Sequence, residues 1–286
     1  MIFLQFLIAG ESAKSYGRAR MTHLALAALC MASAPSTSQA EPAPPTAPSF
    51  LHFRRGAVAS DSETASRVGA QVLAAGGNAV DAACATALAL GVVHPFASGL
   101  GGGGFALVYL ARPGRAVALD FRETAPAGFR APGGIIPPQS SLSVGVPGEA
   151  AGLAELVRRF GARPFSRCVA PAARLARGFP ASPWLVGQIK DEVARHPTDA
   201  RALLGRVFDL REKAADEIRP GDRLSRPQLS KTLAKLQSRG PRAFYTGAIA
   251  RAIVTAVAGT GLSHADLARY RPIERAPLAT MVRGKR

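Results

Sequence analysis

The sequence predicts an exported domain of the α/β or α+β class, and three observations predict it. A short apolar segment ends in a small-x-small tripeptide at residue 40. A helix that is apolar on nearly every face (78–93) passes through a glycine cluster into two strands joined by a Pro-Gly turn (105–123). From about 165 to 270 the pattern is helical, broken at Gly and Pro. Hydrophobic residues make up 48% of the 286, enough for a sizeable core. The formal charge is +17, but the cations are dispersed and mostly arginine, and aromatics are only 6%. No dense basic stripe interleaved with aromatics is present to stack bases, which argues against nucleic acid as a partner.

Residues 1–20 read as an upstream extension with its own apolar patch, "MIFLQFLIAG", and Met21 is a candidate start. Residues 21–40 read as a signal peptide. Arg18 and Arg20 lie just upstream, "LALAALCMA" (24–32) is its apolar core, and "SQA" (38–40) is the cleavage signal. That core is too short to span a bilayer. Leu29 before Cys30 argues against lipid attachment at the cysteine. Residues 41–54, with "EPAPPTAPS", form an extended Pro-rich linker, and 55–286 form the folded domain.

Order begins at "GAVAS" (56–60), which reads as a short buried strand. Asp61 or Ser62 caps a helix running to about Ala75, and Gly76-Gly77 stops it. Asn78 caps the next helix with Asp81 as its capping-box partner. Beyond Asp81 that helix is apolar all round, as a helix buried on all sides would be. Cys84 lies in it and reads as a small core residue. An exported protein permits a disulfide with Cys168, but the spacing argues for none. The five histidines are scattered, no Cys/His cluster has metal-ligand spacing, and no cofactor is expected. "FALVYL" (105–110) and "AVALDFRE" (116–123), joined by "ARPGR", predict a hairpin. Residues 141–161 read as strand, Pro-Gly turn and helix, with Leu153, Leu156, Val157 and Phe160 on one face. The expected arrangement is helices sandwiching a partly antiparallel sheet.

"SGLGGGGFALV" (98–108) satisfies G-x-G-x-x-G, but a phosphate loop runs from strand to helix and this one runs from helix to strand. No Gly-Lys-Ser/Thr follows. The glycines read instead as a close backbone crossing.

Several motifs in one order now resemble the gamma-glutamyltransferases (glutathione hydrolases). They are the stretch from "GAVASDSETASRVGAQVLAAGGNAVDAACATALALGVVHPF" through the glycines, then "ALDFRETAP", "SVGVPGEAAGL" (143–153) and "VAPAARLARGFPAS" (169–182), followed by "LSRPQLSKTLAKLQSRGPRAFYTGAIARAIV" (224–254) and "LSHADLARYRPIERAPL" (262–278). The resemblance covers about 55–280. It implies an α+β fold, the αββα sandwich of N-terminal-nucleophile hydrolases, made as a self-cleaving precursor. A threonine that becomes the N-terminus of the small subunit attacks the gamma-glutamyl amide of glutathione, with its own amino group as base. The acyl group passes to water or an acceptor amine. Related members are acylases of cephalosporin side chains.

The resemblance carries over one substrate-binding residue. Arg122 in "DFRET" matches the arginine that grips the substrate's alpha-carboxylate, for which a planar guanidinium fork is suited. Glu123 is expected to position that loop, and His94 to cap or pack. No Thr-Thr pair occurs in the 286 residues, and Thr246 and Thr260 lie in helical or turn contexts. The resemblance thus implies a truncated precursor lacking the small subunit: a partial sandwich with no catalytic residue of its own, inactive alone, periplasmic or secreted, and not membrane-spanning. The alternatives are a non-enzymatic glutamate-binding remnant that works through Arg122, and one complementing half of a split enzyme.

Overall fold

The computed structural model describes Phe53 and residues 56–130, 133, 141–210 and 214–281. The upstream extension, the signal peptide and all of the linker but Phe53 lie outside the described residues.

Helix α1 (Glu63–Ala74) starts where Ser62 Oγ accepts the Ala65 amide, and α2 (Ala79–Val93) starts at the predicted Asn78–Asp81 capping box. The Asp81 carboxylate does more than cap. It accepts from the Asn78 amide (2.9 Å) and from the amides of Ala162 (3.0 Å) and Arg163 (3.3 Å). A buried acid is thereby satisfied by three donors, and the loop after α3 (Glu149–Phe160) is tied to the start of α2. Helix α2 is buried along almost its whole length, as its lack of a polar face requires.

Strands β1 (Phe105–Leu110) and β2 (Arg115–Asp120) form the predicted hairpin, with Phe105 opposite Asp120 and Leu110 opposite Arg115. A third antiparallel strand, β5 (Ile273–Arg275), adds to β2, giving the order β1-β2-β5. Val108 and Leu119 turn inward to the helical core, and Val117 is buried on the same face. Phe105, Leu107, Tyr109 and Ile273 lie on the opposite face, between 45% and 58% exposed. Cross-strand partners share a face, so Phe105, Leu107 and Tyr109 form an apolar strip there, with the Asp120–Arg275 ion pair between Phe105 and Ile273.

The remaining chain is helical: α4 (Phe165–Leu175), α5 (Pro183–Arg195), α6 (Pro197–Val207), α7 (Pro227–Arg239), α8 (Arg242–Tyr245), α9 (Gly247–Ala256) and α10 (His264–Arg269). A two-residue pair, β3 (Phe179–Pro180) with β4 (Arg223–Leu224), clips the middle of this region together.

Four expectations change. Cys84 and Cys168 form a disulfide between α2 and α4, their Cα atoms 5.9 Å apart. The two are 84 residues apart in sequence, so their approach is a product of helix packing and leaves no local signal. Residues 56–60 belong to no sheet and are partly or fully exposed, not buried, since among the described residues no neighbouring strand offers a ladder. The strand expected before α3 reduces to a short 3-10 turn (Ser141–Ser143) and a single bridge, Thr124 with Val146. Finally, among the described residues helices cover one face of the sheet, not both. The fold is α+β, and the second sandwich layer is not present in these residues.

Candidate functional site

Arg122 stands where β2 ends, and its backbone is held from three directions. Its amide donates to Asp120 Oδ1 (3.0 Å), and its carbonyl accepts from the Tyr270 hydroxyl (2.8 Å). The preceding residue, Phe121, exchanges backbone hydrogen bonds with Gly104 (2.9 and 3.3 Å). The glycines of two sequence motifs make this close fit possible. A Cβ on Gly103 would lie 2.2 Å from the Phe121 carbonyl oxygen, and one on Gly148 only 1.9 Å from it. A Cβ on Gly152 would run into the Phe121 ring at 2.1 Å. No side chain fits at these three positions.

The glycine loop also consumes the helix N-terminus that an anion would otherwise use. Gly102 carbonyl accepts from the amides of Gly148 (2.8 Å) and Glu149 (3.0 Å), which open α3. The expectation that this loop is structural agrees with that geometry.

The Arg122 side chain is 46% exposed, and its Nη1 lies 3.2 Å from Glu123 Oε2. This pair forms a wall shared by two cavities. On one side is an open cleft of about 990 Å³, lined by Phe129, Leu142, Ile249, Ile253 and Leu262, with Lys235 at its edge. On the other is a second cavity of about 510 Å³ beside the glycine loop, lined also by α2, Glu149 and Arg226.

Two residues of that cavity were not singled out from the sequence. Glu149 is only 7% exposed. Burial pushes its carboxyl up to about 8, opposed by a hydrogen bond from the Gly99 amide and reinforced by the charge of Glu123. Arg226 precedes α7 and turns back to α2, donating from Nη1 to the carbonyls of Gly91 (2.5 Å) and Val92 (3.3 Å). Burial lowers its pKa to about 10, so it remains a cation at neutral pH. The sequence signal for Glu149 was a lone acid between a Pro-Gly turn and an apolar helix. For Arg226 there was none.

His94 is buried at the end of α2 and stacks on Trp184 with ring centroids 3.6 Å apart, the packed role expected of it. Burial lowers its pKa. The hydroxyl of Thr246 donates to Arg242 carbonyl (2.9 Å) and that of Thr260 to Val257 carbonyl (2.8 Å). Both hydroxyl protons are thus spent on backbone carbonyls. Among the described residues no three His, Cys, Asp or Glu side chains cluster to hold a metal, and no helix is long and apolar enough to cross a membrane.

The sequence profile of the gamma-glutamyltranspeptidase family matches residues 65–286. The chain belongs to that family. It is similar to the glutathione hydrolase proenzyme of Escherichia coli K12, at 35% identity over 286 residues, which is 92% of this chain and 48% of the relative. It is also similar to glutathione hydrolase 2 of Arabidopsis thaliana, at 39% over 238 residues, 81% of this chain and 40% of the relative. The chain therefore spans about half the length, or less, of these relatives. Among solved structures, Helicobacter pylori gamma-glutamyltranspeptidase superposes with a TM-score of 0.74 at 33% identity, covering 82% of this chain and 70% of that one. A cephalosporin acylase from Bacillus halodurans gives 0.76 at 30%, covering 87% and 48%.

Proposed function

We propose that this gamma-glutamyltranspeptidase-family chain supplies the substrate-carboxylate grip of an exported enzyme that cleaves gamma-glutamyl amides, glutathione among them. The observation that carries the reading is Arg122: a half-exposed side chain on a backbone held by hydrogen bonds to Asp120 and Tyr270, in the wall of the 990 Å³ cleft. Fixed geometry is what a bidentate fork needs in order to orient a substrate. The alpha-carboxylate of the glutamyl group takes the place that Glu123 partly fills, and Glu123 aims the guanidinium until substrate arrives.

In this reading the nucleophile is a threonine on a small subunit outside these 286 residues. Its hydroxyl oxygen bonds to the gamma-carbonyl carbon, the amide C–N bond breaks, and the amine leaves with a proton. Water or an acceptor amine then takes the glutamyl group. The apolar outer face of the β1-β2-β5 sheet supports docking of such a partner, because a layer laid there would bury Phe105, Leu107, Tyr109 and Ile273. The Cys84–Cys168 disulfide supports export to the periplasm or beyond, where disulfides persist.

The test is release of 4-nitroaniline from gamma-glutamyl-4-nitroanilide by the chain alone and after co-production with a small subunit from a family member. The chain alone is expected to be inactive and the complex active. In the complex, Arg122→Lys is expected to weaken glutamyl binding about 10- to 150-fold, the equivalent of about 1.5–3 kcal/mol for a charged hydrogen-bond pair. Activity in the chain alone, or an unchanged KM in Arg122→Lys, would overturn the reading.

A further inference from the structure

Arg122 stands in a gap of the main-chain ladder. Phe121 before it exchanges hydrogen bonds with Gly104 (2.9 and 3.3 Å), and Thr124 after it exchanges them with Val146 (2.8 and 3.3 Å). Between them, the main-chain groups of Arg122 are taken by side chains. Its amide donates to Asp120 Oδ1 (3.0 Å), and its carbonyl accepts from the Tyr270 hydroxyl (2.8 Å). Backbone donors and acceptors must find partners, so here two side chains, and not a strand, fix the conformation of the residue. Both supports lead to one segment. Tyr270 follows α10, and the other Asp120 oxygen accepts from Arg275 Nε (2.6 Å) on β5.

Tyr270 is itself braced. Its ring stacks on that of Tyr245, with centroids 5.8 Å apart and planes 5° apart. The Tyr245 hydroxyl in turn donates to Pro147 carbonyl (3.0 Å) and accepts from the Ala151 amide (3.1 Å) at the start of α3. A Cβ on Gly148 would lie 2.2 Å from the Tyr270 hydroxyl, so the phenol passes through a gap that only glycine leaves. Burial, with the nearby charges of Asp120 and Glu123, raises the pKa of this hydroxyl, so it keeps its proton and remains a donor. Tyr270 lines neither the 990 Å³ cleft nor the 510 Å³ cavity, so its action on a substrate there runs through Arg122.

We propose that Tyr270 and Asp120 are the positioning residues of the Arg122 grip, and that they set how strongly the enzyme prefers donors bearing an alpha-carboxylate. The inference rests on the proposed role of Arg122. Without the Tyr270 hydroxyl the Arg122 carbonyl loses its donor, and the peptide that follows is free to turn. The guanidinium then no longer meets a carboxylate with both nitrogens in register. Asp120 holds the amide side of the same residue, so its loss acts in the same direction.

The experiment compares two donors in the complex with a family member's small subunit: L-gamma-glutamyl-4-nitroanilide and 4-aminobutyryl-4-nitroanilide, which differ only in the alpha-carboxylate. The ratio of their kcat/KM values isolates what the carboxylate contributes, and any loss of folded enzyme cancels in it. Tyr270→Phe removes the hydroxyl and keeps the ring on Tyr245. It is expected to lower the ratio about 2- to 12-fold, the worth of one hydrogen bond, with the rise in KM confined to the glutamyl donor. Asp120→Ala is expected to lower the ratio in the same way. Added to Arg122→Lys, whose ratio is already reduced, Tyr270→Phe should change little, because both act through one contact. Should one of the two variants fail to fold, the other decides. A complex inactive on both donors, or an Arg122→Lys ratio equal to wild type, removes the reading of Arg122 and this inference with it. If Arg122→Lys lowers the ratio while folded Tyr270→Phe or Asp120→Ala leaves it unchanged, the inference alone is overturned. It is also overturned if the losses from Arg122→Lys and Tyr270→Phe multiply in full in the double variant.

Discussion

Replacing Glu149 by glutamine removes a titration that the fold makes expensive. The carboxyl moves from an ordinary 4.5 to about 8 in the folded chain, chiefly because burial disfavours its charge. The folded state therefore holds a proton that the unfolded chain has already released anywhere between those values. Stability follows the difference in bound protons, so this contribution is fully present below pH 4.5 and is lost as pH rises through about 8. Each pH unit in that window removes about 1.4 kcal/mol, and the whole span removes roughly 5 kcal/mol. His94 works in the opposite sense. Burial lowers its pKa, so its contribution is lost as pH falls below its unfolded value of 6.5, which makes pH 7 to 8 the cleanest interval. The assay is chemical unfolding at half-unit steps from pH 5 to 9, without small anions, for wild type and Glu149→Gln. The difference between the two curves isolates Glu149, since His94 and the surface carboxylates are common to both. The expected result is a wild-type curve falling against a variant that does not share the decline. A difference independent of pH would refute the argument, because Glu149 would then be solvated or paired in the folded state.

The Cys84–Cys168 disulfide closes a loop of 84 residues, for which chain entropy gives a stabilisation of about 4.5 kcal/mol. Cys84→Ala with Cys168→Ala should lower the urea midpoint accordingly, and a reductant should lower the wild-type midpoint but not that of the double variant. The outer sheet face should bind a hydrophobic dye in the isolated chain, and Leu107→Lys with Tyr109→Lys should reduce the signal at least severalfold while leaving circular dichroism unchanged. Equal dye fluorescence in both proteins would place the accessible apolar surface elsewhere.

Much of the local architecture could be read in advance because its causes are local. The capping box at Asn78 and Asp81, the hairpin around Pro113-Gly114 and the burial of α2 each follow from residues within a few positions of one another. The position of Arg122 at a strand end was legible for the same reason. What escaped was long-range. Arg226 reaches carbonyls 134 and 135 residues earlier, and Glu149 is perturbed by a cavity whose walls come from four separate segments. The strand expected at 56–60 shows the converse error. An apolar, extended stretch has the composition of a strand, but a ladder needs a partner, and composition does not supply one.

The hydrogen bond from Tyr270 to the Arg122 carbonyl spans 148 residues, and β5 joins β2 just beyond it. At ribosomal speeds of about 5–20 residues per second, Tyr270 is made roughly 7–30 s after Arg122. For that interval the arginine sits on a strand whose outer neighbour does not yet exist. The hydrogen bonding around Arg122 is thus completed only when residue 270 has been made, and a nascent chain stalled before it would carry Arg122 without that support.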